Sequence, residues 1–222
     1  MITQRKLHRL QGHIAEVSIE GFRSLKYIEK LQLPQLTVLI GGNGVGKSSF
    51  IRFFEMLGWM LRAQNLQEFV VRKGGGDDQF FMGSRITPEI KAEIRIATNK
   101  GFNDYRFNMA HLSAGDTLML THEAYRYSDA SRAGQANWSN LSGVGKESVL
   151  PDQKNATAKT ICALLRQCSA YQFHDTSANA SLHQRWDISD SVRLRADGGN
   201  LAAVLLDLRE NDASRYRQLV QQ

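Results

Sequence analysis

The sequence predicts an α/β fold with an antiparallel β-subdomain, and three observations carry that expectation. Leu36, Thr37, Val38, Leu39 and Ile40 form an apolar, partly β-branched run that reads as a buried strand. A glycine-rich turn follows it, and Phe50, Ile51, Phe53, Phe54, Leu57, Met60 and Leu61 then recur at helical spacing. Further on, three alternating apolar/polar runs joined by short turns predict an antiparallel meander.

In chain order, residues 1–12 carry Arg5, Lys6 and Arg9 and read as a basic arm. Residues 14–19 alternate as a strand should, Gly21 to Leu25 turns, and residues 28–33 offer a second strand before Pro34. A β-hairpin thus comes ahead of the run at 36–40. The aromatic density of the helix at 50–61 implies burial on most sides, under a sheet. Gly74, Gly75, Gly76, Asp77 and Asp78 break the pattern into a loop.

Ile90, Ala92, Ile94 and Ile96 then alternate with Lys91, Glu93 and Arg95, and Tyr105, Phe107 and Met109 repeat the pattern. Residues 117–127 complete the meander, giving a β-subdomain over about 79–128. Residues 128–154 are rich in Ser, Gly, Asn and Ala and read as a long surface loop. Residues 156–222 form a helical remainder, with helices at 156–169, 201–209 and 213–220 around an irregular 178–199. Cys162 and Cys168, six apart in the first of these, fall on different helix faces. Two buried free thiols are expected there, not a metal pair or a local disulfide.

The turn carries the chemistry. Gly41 to Ser48 fit the phosphate-loop pattern G-x-x-x-x-G-K-S/T between a strand and a helix. A triphosphate needs several donors converging on it, and backbone N–H groups converge only where side chains stay out of the way. The predicted nucleotide-binding set is therefore Gly41, Gly42, Asn43, Gly44, Val45, Gly46, Lys47, Ser48 and Ser49. The helix N-terminus adds further N–H donors and a partial positive charge. Lys47 reaches the β- and γ-phosphates and is the predicted catalytic residue, and Ser48 is the predicted Mg²⁺ ligand. ATP and Mg²⁺ are the expected cofactors.

The formal net charge of +6 suits nucleic acid as a partner, but a bound nucleotide also accounts for positive charge. No apolar run approaches a membrane span, since even residues 50–61 carry Arg52 and Glu55. The polar, basic N-terminus lacks the apolar stretch of a signal peptide. A cytoplasmic location with no membrane partner is expected.

Two groups of residues resemble the amino-terminal end of the SMC/RecF-like branch of ABC-type ATPases, proteins also called AAA family or OLD-like ATPases. The first is Ile19-Glu20-Gly21-Phe22-Arg23-Ser24-Leu25, followed after about one strand by the turn with its Asn43 and the paired Ser48 and Ser49. The second comprises residues 171–177 and 194–205. The resemblance implies a P-loop NTPase head lobe with a mixed sheet, and domain bounds of 1–12 for the arm and 13–222 for the lobe. It also implies that Arg23 and Ser24 lie near the nucleotide phosphates and that Asn43 helps shape the turn. Arg23 has an alternative reading as an ordinary surface arginine.

Hydrolysis in this class needs a signature loop, a strand ending in Asp-Glu and a late histidine. Residues 203–207 end in Asp207, but Leu201, Val204, Leu205 and Leu208 have helical spacing and Leu208 stands where Glu is needed. Leu141, Ser142, Gly143, Val144, Gly145 and Lys146 only superficially resemble a signature loop, lacking the flanking strands. Gln172 is the candidate for a metal-contacting glutamine loop; a buried glutamine, or a His174–Asp175 pair capping the next turn, explains the same residues. The chain thus reads as the first lobe of a head whose second lobe lies elsewhere, binding nucleotide but hydrolysing it poorly by itself.

Three functions compete. The first is an ATP-driven homodimerising ATPase head that acts on DNA or gates an effector nuclease, as in bacterial anti-phage defence or DNA repair. The second is a non-catalytic nucleotide- or DNA-binding module using the basic arm and residues 128–154. A small-molecule kinase ranks third, because of the leading hairpin and the Gly-Asn-Gly turn.

Overall fold

Alternation of apolar and polar residues builds a long first strand, β1 (Gly12–Phe22), which turns at Gly21 to Ser24 into β2 (Leu25–Gln32). The computed structural model describes residues 12–62, 65–132, 135–171, 173 and 180–220. Of the sequence expectations, the basic arm up to residue 11, Gln172, His174 and Asp175 lie outside these. The meander forms as the alternation predicts: β3 (Glu89–Thr98), β4 (Gly101–Leu112) and β5 (Thr117–Ser128).

All of these strands belong to one sheet of order β2-β1-β3-β4-β5-β6, with β6 being Ser139–Asn140. Every pairing is antiparallel. The expected mixed sheet is therefore corrected among the described residues, and the leading hairpin joins the meander through β1–β3 pairing. The run at 36–40 explains the difference. It takes no strand pairing among the described residues, and Leu36, Val38 and Ile40 are 83%, 72% and 90% exposed. Its composition suits a strand, but a strand exists only as a pairing, and β2 ends before it begins.

One sheet face is apolar and covered. Register sets Ile90 against Met109, Ala92 against Phe107 and Ile94 against Tyr105, so these side chains share that face. Helix α1 (Lys47–Arg62) lays Phe50, Phe53, Met56, Leu57, Met60 and Leu61 onto it. The Phe53 ring stacks on Phe107 at 6.3 Å and meets Phe22 edge-on at 5.7 Å. A short α2 (Leu66–Arg72) and α3 (Ala156–Leu165) complete the cover, with Asn155 capping α3 through the Ala158 N–H. The ends of α1 and α3 lock each other: Arg62 donates to the Arg166 carbonyl, and Arg166 donates to that of Leu61.

The opposite face is charged. Asp104 is fully buried there, and it accepts from Arg95 and Arg126 at 2.8 Å each. The expected surface loop at 128–154 is in part an anchored segment. The buried Glu123 carboxylate accepts from the Tyr105 hydroxyl, from Ser148 Oγ at 2.5 Å and from the Val149 N–H at 3.0 Å. Burial and the Glu123 charge together raise the Tyr105 phenol well above its usual range.

Residues 169–222 make a second compact unit. It contains α4 (Leu201–Asn211) and α5 (Ala213–Val220), so Asp207 sits within a helix as its spacing predicts. The fully buried Asn200 organises this unit, donating to the carbonyls of Asp190 and Arg193 and accepting from the Arg195 N–H. Among the described residues no helix is long and apolar enough to cross a membrane.

Candidate functional site

The turn between residue 40 and α1 is open to solvent. Gly41, Gly42, Asn43, Gly44 and Val45 are all exposed, while Gly46 is buried. Gly44 and Gly46 adopt φ of +83° and +101°, conformations that side chains resist. Nothing stands within 4 Å of where a Cβ on Gly42 or Gly44 would project, so the backbone is approachable there.

Helix α1 starts on this turn, since the Gly46 carbonyl takes its first helical bond from the Phe50 N–H at 2.9 Å. The N–H groups of Lys47, Ser48 and Ser49 therefore have no partner within the helix. Sixteen residues of aligned peptide dipoles stand behind them. The Lys47 ammonium reaches back over the turn and donates to the carbonyls of Gly41 at 2.7 Å and Gly42 at 2.5 Å. Ser48 is exposed beside it. The arrangement brings the Lys47 ammonium, helix N-terminal N–H donors and a hydroxyl to one exposed turn, which is the donor set a Mg²⁺–polyphosphate requires. Among the described residues, no group of three or more His, Cys, Asp or Glu could hold a metal.

The β1–β2 turn lies directly against this site. Ser24 Oγ is 2.7 Å from Ser49 Oγ. A Cβ on Gly46 would sit 2.7 Å from Leu25 Cδ2 and 3.5 Å from Ser24 Oγ. Ser24 thus joins the candidate site by contact.

Arg23 is placed differently from the other candidates. Its φ is +51°, and its Nη1 donates to Gln79 Oε1 at 3.0 Å and to the Lys73 carbonyl at 3.3 Å. Burial, and then the nearby Arg52, push the guanidinium below its usual pKa. The described bonds of Arg23 thus run to residues 73–79, and none runs to the glycine-rich turn.

Sequence reading missed Gln79. It is a lone glutamine in an Asp- and Gly-rich loop, where no periodicity marks it. The segment 141–147, in contrast, proves structural. The Leu120 N–H donates to the Gly145 carbonyl at 2.8 Å, and Glu147 accepts the N–H groups of Leu66 and Gln67 at the start of α2. Burial raises the Glu147 carboxyl above its usual pKa, while the two N–H donors oppose the rise.

No curated protein matches the chain. Residues 13–111, from β1 through the glycine-rich turn and into β4, match the family model of the AAA ATPase domain, which supports an AAA-type, ATP-binding domain over that stretch.

Proposed function

We propose that this chain is the Mg²⁺-ATP-binding lobe of an SMC/RecF-like ATPase. The observation that carries the reading is the open turn feeding α1, with Lys47 held over it by the carbonyls of Gly41 and Gly42. Backbone N–H groups of residues 42–49 and the Lys47 ammonium would hold the phosphates, and the Ser48 hydroxyl would meet the metal. Bound Mg²⁺ would neutralise charge on the β- and γ-phosphate oxygens. Ser24 would set the position of Ser49 through their shared hydrogen bond. Arg23 would turn toward the phosphates only by leaving Gln79, and Gln172 remains a candidate metal contact.

The exposed apolar run at 36–40 supports a second lobe. Its side chains call for burial, and a pairing strand from a lobe carrying the Asp-Glu strand and the signature loop would supply it. With that lobe, the head would dimerise on ATP and act on DNA or gate an effector such as a nuclease, in defence or repair. Without it, binding should exceed hydrolysis, because the groups that polarise the attacking water are missing.

Calorimetry with Mg²⁺-ATP tests the reading: heat for the wild-type chain and none for Lys47→Ala is expected. No heat with the wild-type chain would refute it. Salt-dependent DNA binding that persists in Lys47→Ala, with no nucleotide uptake by either protein, would instead favour the non-catalytic module.

A further inference from the structure

We infer that Gln79 is a positioning residue for the nucleotide turn, acting through the β1–β2 turn; the inference rests on the nucleotide-binding reading above. Gln79 is fully buried, and all its polar groups are engaged. Its Nε2 donates to the carbonyls of Lys73 at 3.1 Å and Gly75 at 2.8 Å. Its Oε1 accepts from the Arg23 guanidinium at 3.0 Å, and its main-chain carbonyl accepts the Arg23 N–H at 2.8 Å. Its own N–H donates to the Gly76 carbonyl at 3.1 Å.

The neighbours on either side repeat the attachment. The Phe81 N–H donates to the Gly21 carbonyl at 2.9 Å, and Phe80 bridges to Phe22. Residues 79–81 therefore hold the turn at 21–23 along its length. This explains how Arg23, a non-glycine residue, stays at φ +51°, since such conformations persist only where the surroundings over-determine them.

On its far side the same turn presses on the nucleotide site. Leu25 occupies the space beside Gly46, and Ser24 bonds Ser49. The chain of contacts is short and continuous: Gln79 to Arg23, then Ser24 and Leu25 to Ser49 and Gly46. An apolar residue of the same shape at 79 would take from the Arg23 guanidinium its Oε1 acceptor and from the Gly75 carbonyl its Nε2 donor, leaving Arg23 and the Lys73 carbonyl only their mutual 3.3 Å bond, and the turn would lose its set position. The N–H groups at the start of α1 would then be presented less accurately to a phosphate.

The test compares Mg²⁺-ATP affinity by calorimetry on the full chain for the wild type, Gln79→Met, Gln79→Glu and Glu123→Gln. The last removes a buried charge whose described side-chain partners are Tyr105, Ser148 and Val149, away from the turn. Gln79→Met should weaken binding by about tenfold, the order expected when one buried hydrogen-bonded group is lost. Gln79→Glu keeps the acceptor for Arg23 but sets a carboxylate oxygen against the Lys73 and Gly75 carbonyls, so it should weaken binding as well; wild-type affinity in it would also overturn the inference. Glu123→Gln should lower the unfolding midpoint while leaving affinity within about twofold.

Wild-type affinity in Gln79→Met, or an equal loss of affinity in Glu123→Gln, overturns the inference. A reciprocal measurement needs no variant: by linkage, Mg²⁺-ATP should slow amide exchange at Arg23 and Phe81 in the wild-type chain. Unchanged exchange at those two amides under saturating nucleotide also overturns it, including where Gln79→Met does not fold. If the wild-type chain takes up no Mg²⁺-ATP, the nucleotide reading itself fails and this role falls with it. Normal wild-type binding with an unaffected Gln79→Met removes the positioning role alone.

Discussion

Gly46→Ala and Gly44→Ala together separate backbone strain from crowding at the glycine-rich turn. Both glycines have positive φ, +101° and +83°. Forcing a side chain into such a conformation costs about 1–3 kcal/mol wherever the backbone cannot relax. At Gly44 that is the whole effect, because a Cβ there meets nothing within 4 Å. At Gly46 the new Cβ would also lie 2.7 Å from Leu25 Cδ2, and Leu25 is only 7% exposed. Overpacking against a buried side chain adds about 1–3 kcal/mol.

Gly46→Ala should therefore destabilise the first unit by about 2–5 kcal/mol. Gly44→Ala, in an exposed turn able to relax, should cost no more than about 1–3 kcal/mol. Urea unfolding followed by tryptophan fluorescence in a Trp186→Phe background, which leaves Trp59 in α1 and Trp138 as reporters of the first unit, reads both. Equal losses within about 0.5 kcal/mol would mean that the β1–β2 turn does not press on Gly46, and the reasoning would fail.

Gly58→Ala should destabilise although alanine gains about 1 kcal/mol of helix propensity, because its Cβ would sit 2.2 Å from the main-chain oxygen of Cys168. A raised urea midpoint would refute the close packing of α1 there. Asp77 and Asp116 are both held below the usual carboxylate range, Asp77 by the Ser84 hydroxyl and N–H, Asp116 by the Asp77 N–H and His111. Depressed folded-state pKa values mean that this support is complete above the ordinary carboxylate pKa and is lost as pH falls through the folded value. The protection factor of the Ser84 amide, its rate relative to an unstructured amide at the same pH, should fall as pH drops below about 4, and Asp77→Ala should show the reduced protection already at neutral pH. Burial pushes the thiols of Cys162 and Cys168 up to about 11, so a disulfide reagent should label them slowly in the folded chain and fully in urea. Rapid labelling of Cys162 in the folded protein would contradict its burial.

Much of the architecture was legible because period and burial coincide. The alternation at 90–96 and 105–109 specified strands whose apolar side faces α1, and helical spacing in α1 specified the face that meets them. The helical spacing of Leu201, Val204, Leu205 and Leu208 likewise placed Asp207 on α4. The candidate site was legible for a different reason. A glycine-rich turn is made of main-chain atoms over consecutive residues, so its geometry is written locally in Gly44, Gly46 and the lysine that follows.

What stayed hidden depends on partners distant in sequence. Pairing decided that the leading hairpin joins the meander through β1 and β3, and that residues 36–40, apolar as they are, take no place in the sheet. Burial decided that Gln79, unremarked by any pattern, holds Arg23, which lies 56 positions away. The same holds for Glu123, whose carboxylate ties down Ser148 and Val149. Local order is fixed by propensity and period within a few residues, and the sequence alone determined much of it: the strands of the meander, helix α1 and the glycine-rich turn. Which strand lies beside which, and which polar side chain is drawn into the interior, follow from desolvation and hydrogen-bond satisfaction among residues far apart along the chain, and only the tertiary structure decided them.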